Sequence, residues 1–217
     1  MRLRLTMAVV LGLSSLIRAD FSAVQNARMQ VGKRQAPTQT IQVFHKGKKT
    51  RYDINKTLTV VLDEETKQRL TIDRVKKTYS QESWDPVPEK PMTGPISVKQ
   101  TERRTRVAGH PTRLYLWKTS MGDIKVAAEI WCAEDLPRVS LPSIAGGGFD
   151  TATQSKGMSG HPLRVRLVTT TKEGVQAILT SEVTAVSTKA LADTLFEVPT
   201  GFTEEKKNTA TKTEGDN

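Results

Sequence analysis

Apolar and polar residues alternate with a period of two along most of this chain, most clearly between Thr112 and Leu136. Leu114 and Leu116 alternate with Tyr115 and Trp117. Beyond the turn Ser120-Met121-Gly122-Asp123, Ile124, Val126, Ala128, Ile130 and Cys132 share one face, and Lys125, Ala127, Glu129 and Trp131 share the other. Two alternating runs around a glycine-containing turn predict a β-hairpin. Its first strand is apolar on both faces, which calls for cover on each side and places it in the middle of a large antiparallel sheet.

The same period recurs on either side. Thr38–Phe44, the run Leu58, Val60 and Leu62, and Arg69–Val75 alternate between polar turns, which predicts an antiparallel meander. Leu163, Val165 and Leu167 alternate with Arg164 and Arg166. After the turn Lys172-Glu173-Gly174 the strand Val175–Val186 carries Ala177 and Leu179 on one face. Asp20–Gly32 fits two patterns: a short helix through Phe21, Val24, Ala27 and Val31, or a strand through Ala27, Met29 and Val31. Four prolines break the period across Ser83–Pro95, which predicts a surface loop within one domain. Arg138–His161, rich in glycine, predicts either a cover over a site or a disordered loop. Lys189–Phe196 fits a two-turn helix, and Thr203–Asn217 is polar enough to predict a disordered tail. The fold class expected is mainly β, with one or two short helices.

The first nineteen residues stand apart. A basic start at Arg2 and Arg4, an apolar run from Leu5 to Ile17 and a small residue at Ala19 form the three-part pattern of a secretory signal peptide. The run is too short for a transmembrane helix. The expected organisation is therefore signal peptide 1–19, one domain over 20–202 and a tail over 203–217, exported to the periplasm or secreted after cleavage near Ala19. Losing Arg2, Arg4 and Arg18 lowers the formal charge from +10 to +7. The remaining cations are spread along strands and turns. They suit weak contact with an anionic envelope surface, and no nucleic-acid-binding motif accompanies them. With Cys132 as its one cysteine the chain forms no internal disulfide. The thiol sits on an apolar strand face and is expected to be buried.

Five short stretches together resemble an exported bacterial family designated only as a domain of unknown function. They are Lys77-Thr78-Tyr79, Val107-Ala108-Gly109-His110, Ile130-Trp131-Cys132-Ala133-Glu134-Asp135-Leu136-Pro137, Gly160-His161-Pro162-Leu163 and Phe196-Glu197-Val198-Pro199-Thr200-Gly201-Phe202. The match runs from about Ile41 to Phe202, and that family is similar in architecture to the LolA-like envelope lipoprotein carriers. The resemblance implies a single strongly curved antiparallel sheet, a half-barrel with an apolar cavity on its concave side. It also implies a lipid, lipoprotein or other apolar ligand. Two departures stand against a direct transfer of function: little helix for a lid, and no cysteine after the signal region for a lipid anchor.

Catalytic chemistry finds little support. Gly157-Met158-Ser159-Gly160-His161 has the wrong spacing for a nucleophile elbow and no helix behind it. His45, His110 and His161 are isolated, each beside a turn, and are expected as surface or turn residues instead of around a metal. No cofactor is expected. A curved sheet not filled by its own side chains would leave a cavity lined by alternate residues. Candidate liners are Leu114, Leu116, Ile124, Val126, Ile130, Val165, Leu167, Ala177 and Leu179, with Tyr115, Trp117 and Trp131 as the alternative face. The rival expectation is a filled core in an envelope interaction or scaffold protein.

Overall fold

The computed structural model describes residues 20–84, 95–136 and 157–205. The expected signal peptide, residues 85–94 of the proline-rich loop, residues 137–156 of the glycine-rich loop and the tail beyond Glu205 lie outside them.

The described residues form one sheet. Its strands are β1 (Phe21–Val31), β2 (Arg34–Gln35), β3 (Gln39–Lys46), β4 (Lys49–Ile54), β5 (Leu58–Asp63), β6 (Gln68–Asp73), β7 (Thr78–Ser83), β8 (Ser97–Val107), β9 (His110–Met121), β10 (Ile124–Ala133), β11 (His161–Thr170), β12 (Gln176–Ser187) and β13 (Thr203–Glu204). They lie in the order β13-β7-β6-β5-β4-β3-β1-β12-β11-β10-β9-β8, with β2 folded onto β1. The sheet is curved and unclosed, as expected, and antiparallel except where β13 runs parallel to β7.

Two meanders, β3–β7 and β8–β12, meet at β1, which pairs with β3 on one side and β12 on the other. The stretch that fits helix and strand equally is thus the seam of the sheet. Two flanking strands supply partners for its backbone that no helix would use. The hairpin β9–β10, expected in the middle, lies near one end: only β8 separates β9 from the edge. Its first strand is nonetheless covered on both sides, with Leu114, Tyr115 and Trp117 buried.

Two further expectations change. The expected two-turn helix is a single 3-10 turn, Asp193–Phe196, with Phe196 buried. Thr203 and Glu204, expected to belong to the tail, instead pair with Thr78 and Tyr79 of β7.

Residues paired across neighbouring antiparallel strands share a side, so the register sorts the sheet into two faces, here called A and B. Face A carries most of the core. One cluster holds Tyr115, Trp117, Val126, Ala128, Ile130, Cys132 and Leu167, with Met158 packed on it. A second holds Ala27, Ile41, Val43, Tyr52, Val60 and Leu62, with Trp84 against it. Cys132 is buried as expected.

Face B is divided. Over β3–β7 the segment after β12 crosses it as a strap. Leu191 N–H donates to Asp20 (2.6 Å), Lys46 Nζ donates to the Leu191 carbonyl (2.6 Å) and pairs with Asp193 (2.9 Å), and Arg51 Nη1 donates to the Leu195 carbonyl. Thr203 N–H and Glu205 N–H then donate to the Lys77 and Tyr79 carbonyls. Over β10–β12 and β1, face B has no comparable strap among the described residues.

Candidate functional site

The register corrects the grouping of candidate cavity residues. Leu114 pairs with Trp131 and Leu116 with Glu129, whereas Tyr115 pairs with Ile130 and Trp117 with Ala128. Leu114, Leu116 and Trp131 therefore belong to face B. Tyr115 and Trp117 join Ile124, Val126, Ile130, Val165, Leu167, Ala177 and Leu179 on face A. The reason is turn geometry: moving a pairing by one residue exchanges the faces of a whole strand, and an all-apolar strand carries no pattern that fixes the choice.

Most of the face A set is packed. Trp117, Tyr115 and Ile130 are fully buried, and Val126 and Leu167 nearly so. Ala177 and Leu179 are different. Leu179 pairs with Met29 and Ala177 with Val31, and these partners are 40% and 47% exposed. Val175, two residues before Ala177, is also exposed. Together they make an open apolar strip on face A at one end of β1 and β12, next to Leu167 of the core. Single exposed apolar residues are ordinary, but here three exposed ones adjoin the half-buried Ala177 and Leu179.

The other side of the same strands has the opposite chemistry. A depression of about 480 Å³ is bordered by Arg28, Arg103, Arg164, Arg166, Glu129 and Glu182, with Trp131 and several neutral polar side chains. Of the expected cavity residues, only Val165 and Trp131 border it. The strand pattern places these groups. Arg164 and Arg166 alternate on β11, opposite Glu182 and Thr180 of β12 on one side and Trp131 and Glu129 of β10 on the other. Arg164 Nη2 meets Glu182 Oε1 at 2.6 Å.

Two arginines reach in from outside the floor. A bulge between Gln100 and Arg104 loosens β8. It is held by Thr101 Oγ1, which donates to the Leu114 carbonyl (2.9 Å) and accepts from Arg103 N–H (3.2 Å). The Arg103 guanidinium thereby lies 5.6 Å from the Trp131 ring centre, a cation–π contact. On the opposite wall β2 doubles back on β1 after Gly32, whose φ of +57° is the left-handed turn conformation glycine favours. There the Gln35 side-chain oxygen accepts from Arg28 Nε (3.0 Å) and Nη1 (3.1 Å) in the amide orientation that satisfies both groups.

Two of the three histidines are buried, and His110 is the partly exposed one beside a turn. His45 is buried, its Nδ1 3.0 Å from Thr50 Oγ1. His161 is buried with its ring 4.8 Å from that of Phe21. His110 sits beside Asp135 at 3.0 Å. Among the described residues, no three His, Cys, Asp or Glu side chains converge as a metal site. Ser159 Oγ shares a 2.8 Å hydrogen bond with the Tyr115 hydroxyl. Gly160 packs so closely on the Ala133 carbonyl that a Cβ there would lie 2.3 Å from its oxygen. This short run is a packing element against the end of β10.

These features define a class: a single open sheet with one packed face, an apolar strip at its end, and a charged groove behind that strip. No family model matches the sequence, and no curated protein matches it. Among solved structures, the chain is similar to a LolA superfamily protein, NE2245 from Nitrosomonas europaea. The identity is 9% with a TM-score of 0.38, over 83% of this chain and 90% of that one. It is also similar to MucB, at 13% identity and a TM-score of 0.43, over 85% of this chain and 58% of that one. Among the described residues no helix is long and apolar enough to cross a membrane.

Proposed function

We propose that this is an exported, non-catalytic periplasmic binding protein that carries or senses a lipid, a lipoprotein or another molecule with an apolar chain. The observation that carries the reading is the open strip of Met29, Val31, Val175, Ala177 and Leu179, continuous with the buried apolar face. An acyl chain laid on it would be removed from water on one side at once. Each buried methylene contributes about 0.8 kcal/mol. Native mass spectrometry of the protein isolated from the cell envelope tests this directly. Bound lipid, lost in a Met29→Glu, Leu179→Glu double variant that keeps the parent's circular dichroism, is the expected result. Ligand-free protein that also takes up no fluorescent fatty acid would sink the proposal.

A second reading is an envelope interaction protein with a filled core. It is favoured by β8, an eleven-residue edge strand carrying Lys99, Arg103, Arg104 and Arg106. Strand addition by a partner would use this edge. A crosslinker placed at Arg104 that captures one defined partner, unaffected by the strip substitutions, would decide for it.

A further inference from the structure

The groove on face B is a site in its own right, on the opposite side of the sheet from the strip. Its charges do not cancel. Four arginines face two glutamates. Glu182 is held by Arg164 at 2.6 Å, and Glu129 stands directly across the strand pair from Arg166. Arg28 and Arg103 remain as surplus cations, one on each wall. Each is held by a neutral neighbour: Arg28 by the Gln35 amide oxygen and Arg103 by the Trp131 ring. A guanidinium carries five N–H donors in a fixed fork, so both keep donors that those contacts do not use.

The glutamates decide what kind of anion would be accepted. A bare, compact polyanion would meet Glu129 and Glu182 as like charges. A ligand that carries hydroxyl groups as well as an anion would instead donate to them. Asn26, Thr38 and Thr180, which also border the groove, can both donate and accept. Guanidinium forks match a planar carboxylate bidentately. We propose that this groove binds an acidic sugar: its carboxylate between Arg28 and Arg103, its hydroxyls on Glu129 and the neutral polar rim. At about 480 Å³ the groove has the size of a small-ligand site. The β8 bulge and the β2 hairpin are the devices that set the two surplus arginines over it. The site stands whether or not the strip on face A binds a lipid.

The test is a titration of isotope-labelled protein, read by NMR at the arginine Nε–H and tryptophan indole signals. The probes are glucuronate, glucose and inorganic phosphate, at matched ionic strength. The expected result is a saturable shift with glucuronate centred on Arg28, Arg103 and Trp131, at an affinity about tenfold or more above those for glucose and phosphate. Arg28→Gln with Arg103→Gln should weaken glucuronate by about tenfold, the loss of roughly 1.4 kcal/mol. Arg104→Gln with Arg106→Gln, the same charge change on the same edge outside the groove, should leave it unchanged. Phosphate binding as tightly as glucuronate would overturn the proposal in favour of a simple anion site. Equal binding of glucose, equal loss in both arginine pairs, or no saturable shift would overturn it too.

Discussion

Arginine appears on face B in two settings, and the contrast shows what decides its role. Over β4, Arg51 is buried beneath the strap. Its Nε and Nη2 donate to both oxygens of Asp53 (2.9 and 3.0 Å), and its remaining terminal nitrogen donates to the Leu195 carbonyl. Asp53 also accepts from Thr59 Oγ1 (2.7 Å) and pairs with Arg74 (3.0 Å). Over β11, Arg164 has one carboxylate partner, lies 39% exposed and leaves its buried Nε without a partner among the described residues. The residue type and the sheet face are the same. The difference is cover: under the strap each guanidinium nitrogen of Arg51 has a partner inside the protein, and in the groove the Arg164 Nε has none among the described residues.

The largest effect expected is therefore on the covered side. Arg51→Ala takes the bidentate partner from Asp53, leaving it Arg74 and Thr59, and leaves the Leu195 carbonyl without its donor; it should cost about 3–4 kcal/mol, the lower part of the range for removing one partner of a buried pair. Urea denaturation of the purified protein measures it, and a loss below about 1 kcal/mol would erase the distinction between the two regions. Replacing the pair together, Arg51→Met with Asp53→Leu, should recover much of that loss. Next in size is Phe196→Ala, about 3 kcal/mol from a truncated aromatic in the strap. It should also raise hydrogen exchange at Thr203 and Glu205, whose N–H groups bond to the Lys77 and Tyr79 carbonyls.

A smaller effect concerns acid. The backbone N–H of Lys76 holds Asp73 below the usual carboxylate range, against some burial and with help from the Val75 N–H. At Asp63 burial pushes the other way, but the N–H groups of Thr66 and Glu65 outweigh it. A carboxylate depressed on folding stabilises above its unfolded pKa, and that contribution disappears as pH falls through its folded value. Thermal midpoints on acidification should thus fall less steeply in Asp73→Asn than in the parent; parallel curves would remove this role. The smallest effect belongs to the groove. Arg164→Ala should change stability by at most about 1 kcal/mol, as for an exposed ion pair, and a larger loss would mean that the groove is structural.

The sheet was legible because alternation survives in nearly every strand. Leu163 to Leu167 and Leu58 to Leu62 show it directly, and the turns at Gly47, Gly122 and Gly174 punctuate it. The seam strand was not legible. Phe21–Val31 satisfies both periods, and only the presence of β3 and β12 on either side settles it. The arginines of the groove were visible as scattered cations, and Arg164 and Arg166 even showed their shared face. Nothing nearby in sequence brings Arg28 or Arg103 to them, since that depends on a hairpin fold-back and a bulge. Arg51 looked like one more surface charge because its partner Leu195 lies 144 residues away.

The sequence by itself determined the strand period, the turns, the burial of Cys132 and a mainly β, antiparallel fold class, since each follows from residues a few positions apart; the single curved layer was implied by the family resemblance and not by the alternation. Only the tertiary structure decided which meander edge meets β1, which side of the hairpin Leu114 and Trp117 take, and where the strap lies. Those choices are set by register and by long-range cover. A one-residue slip, or a segment crossing from far along the chain, changes them without changing the alternation itself.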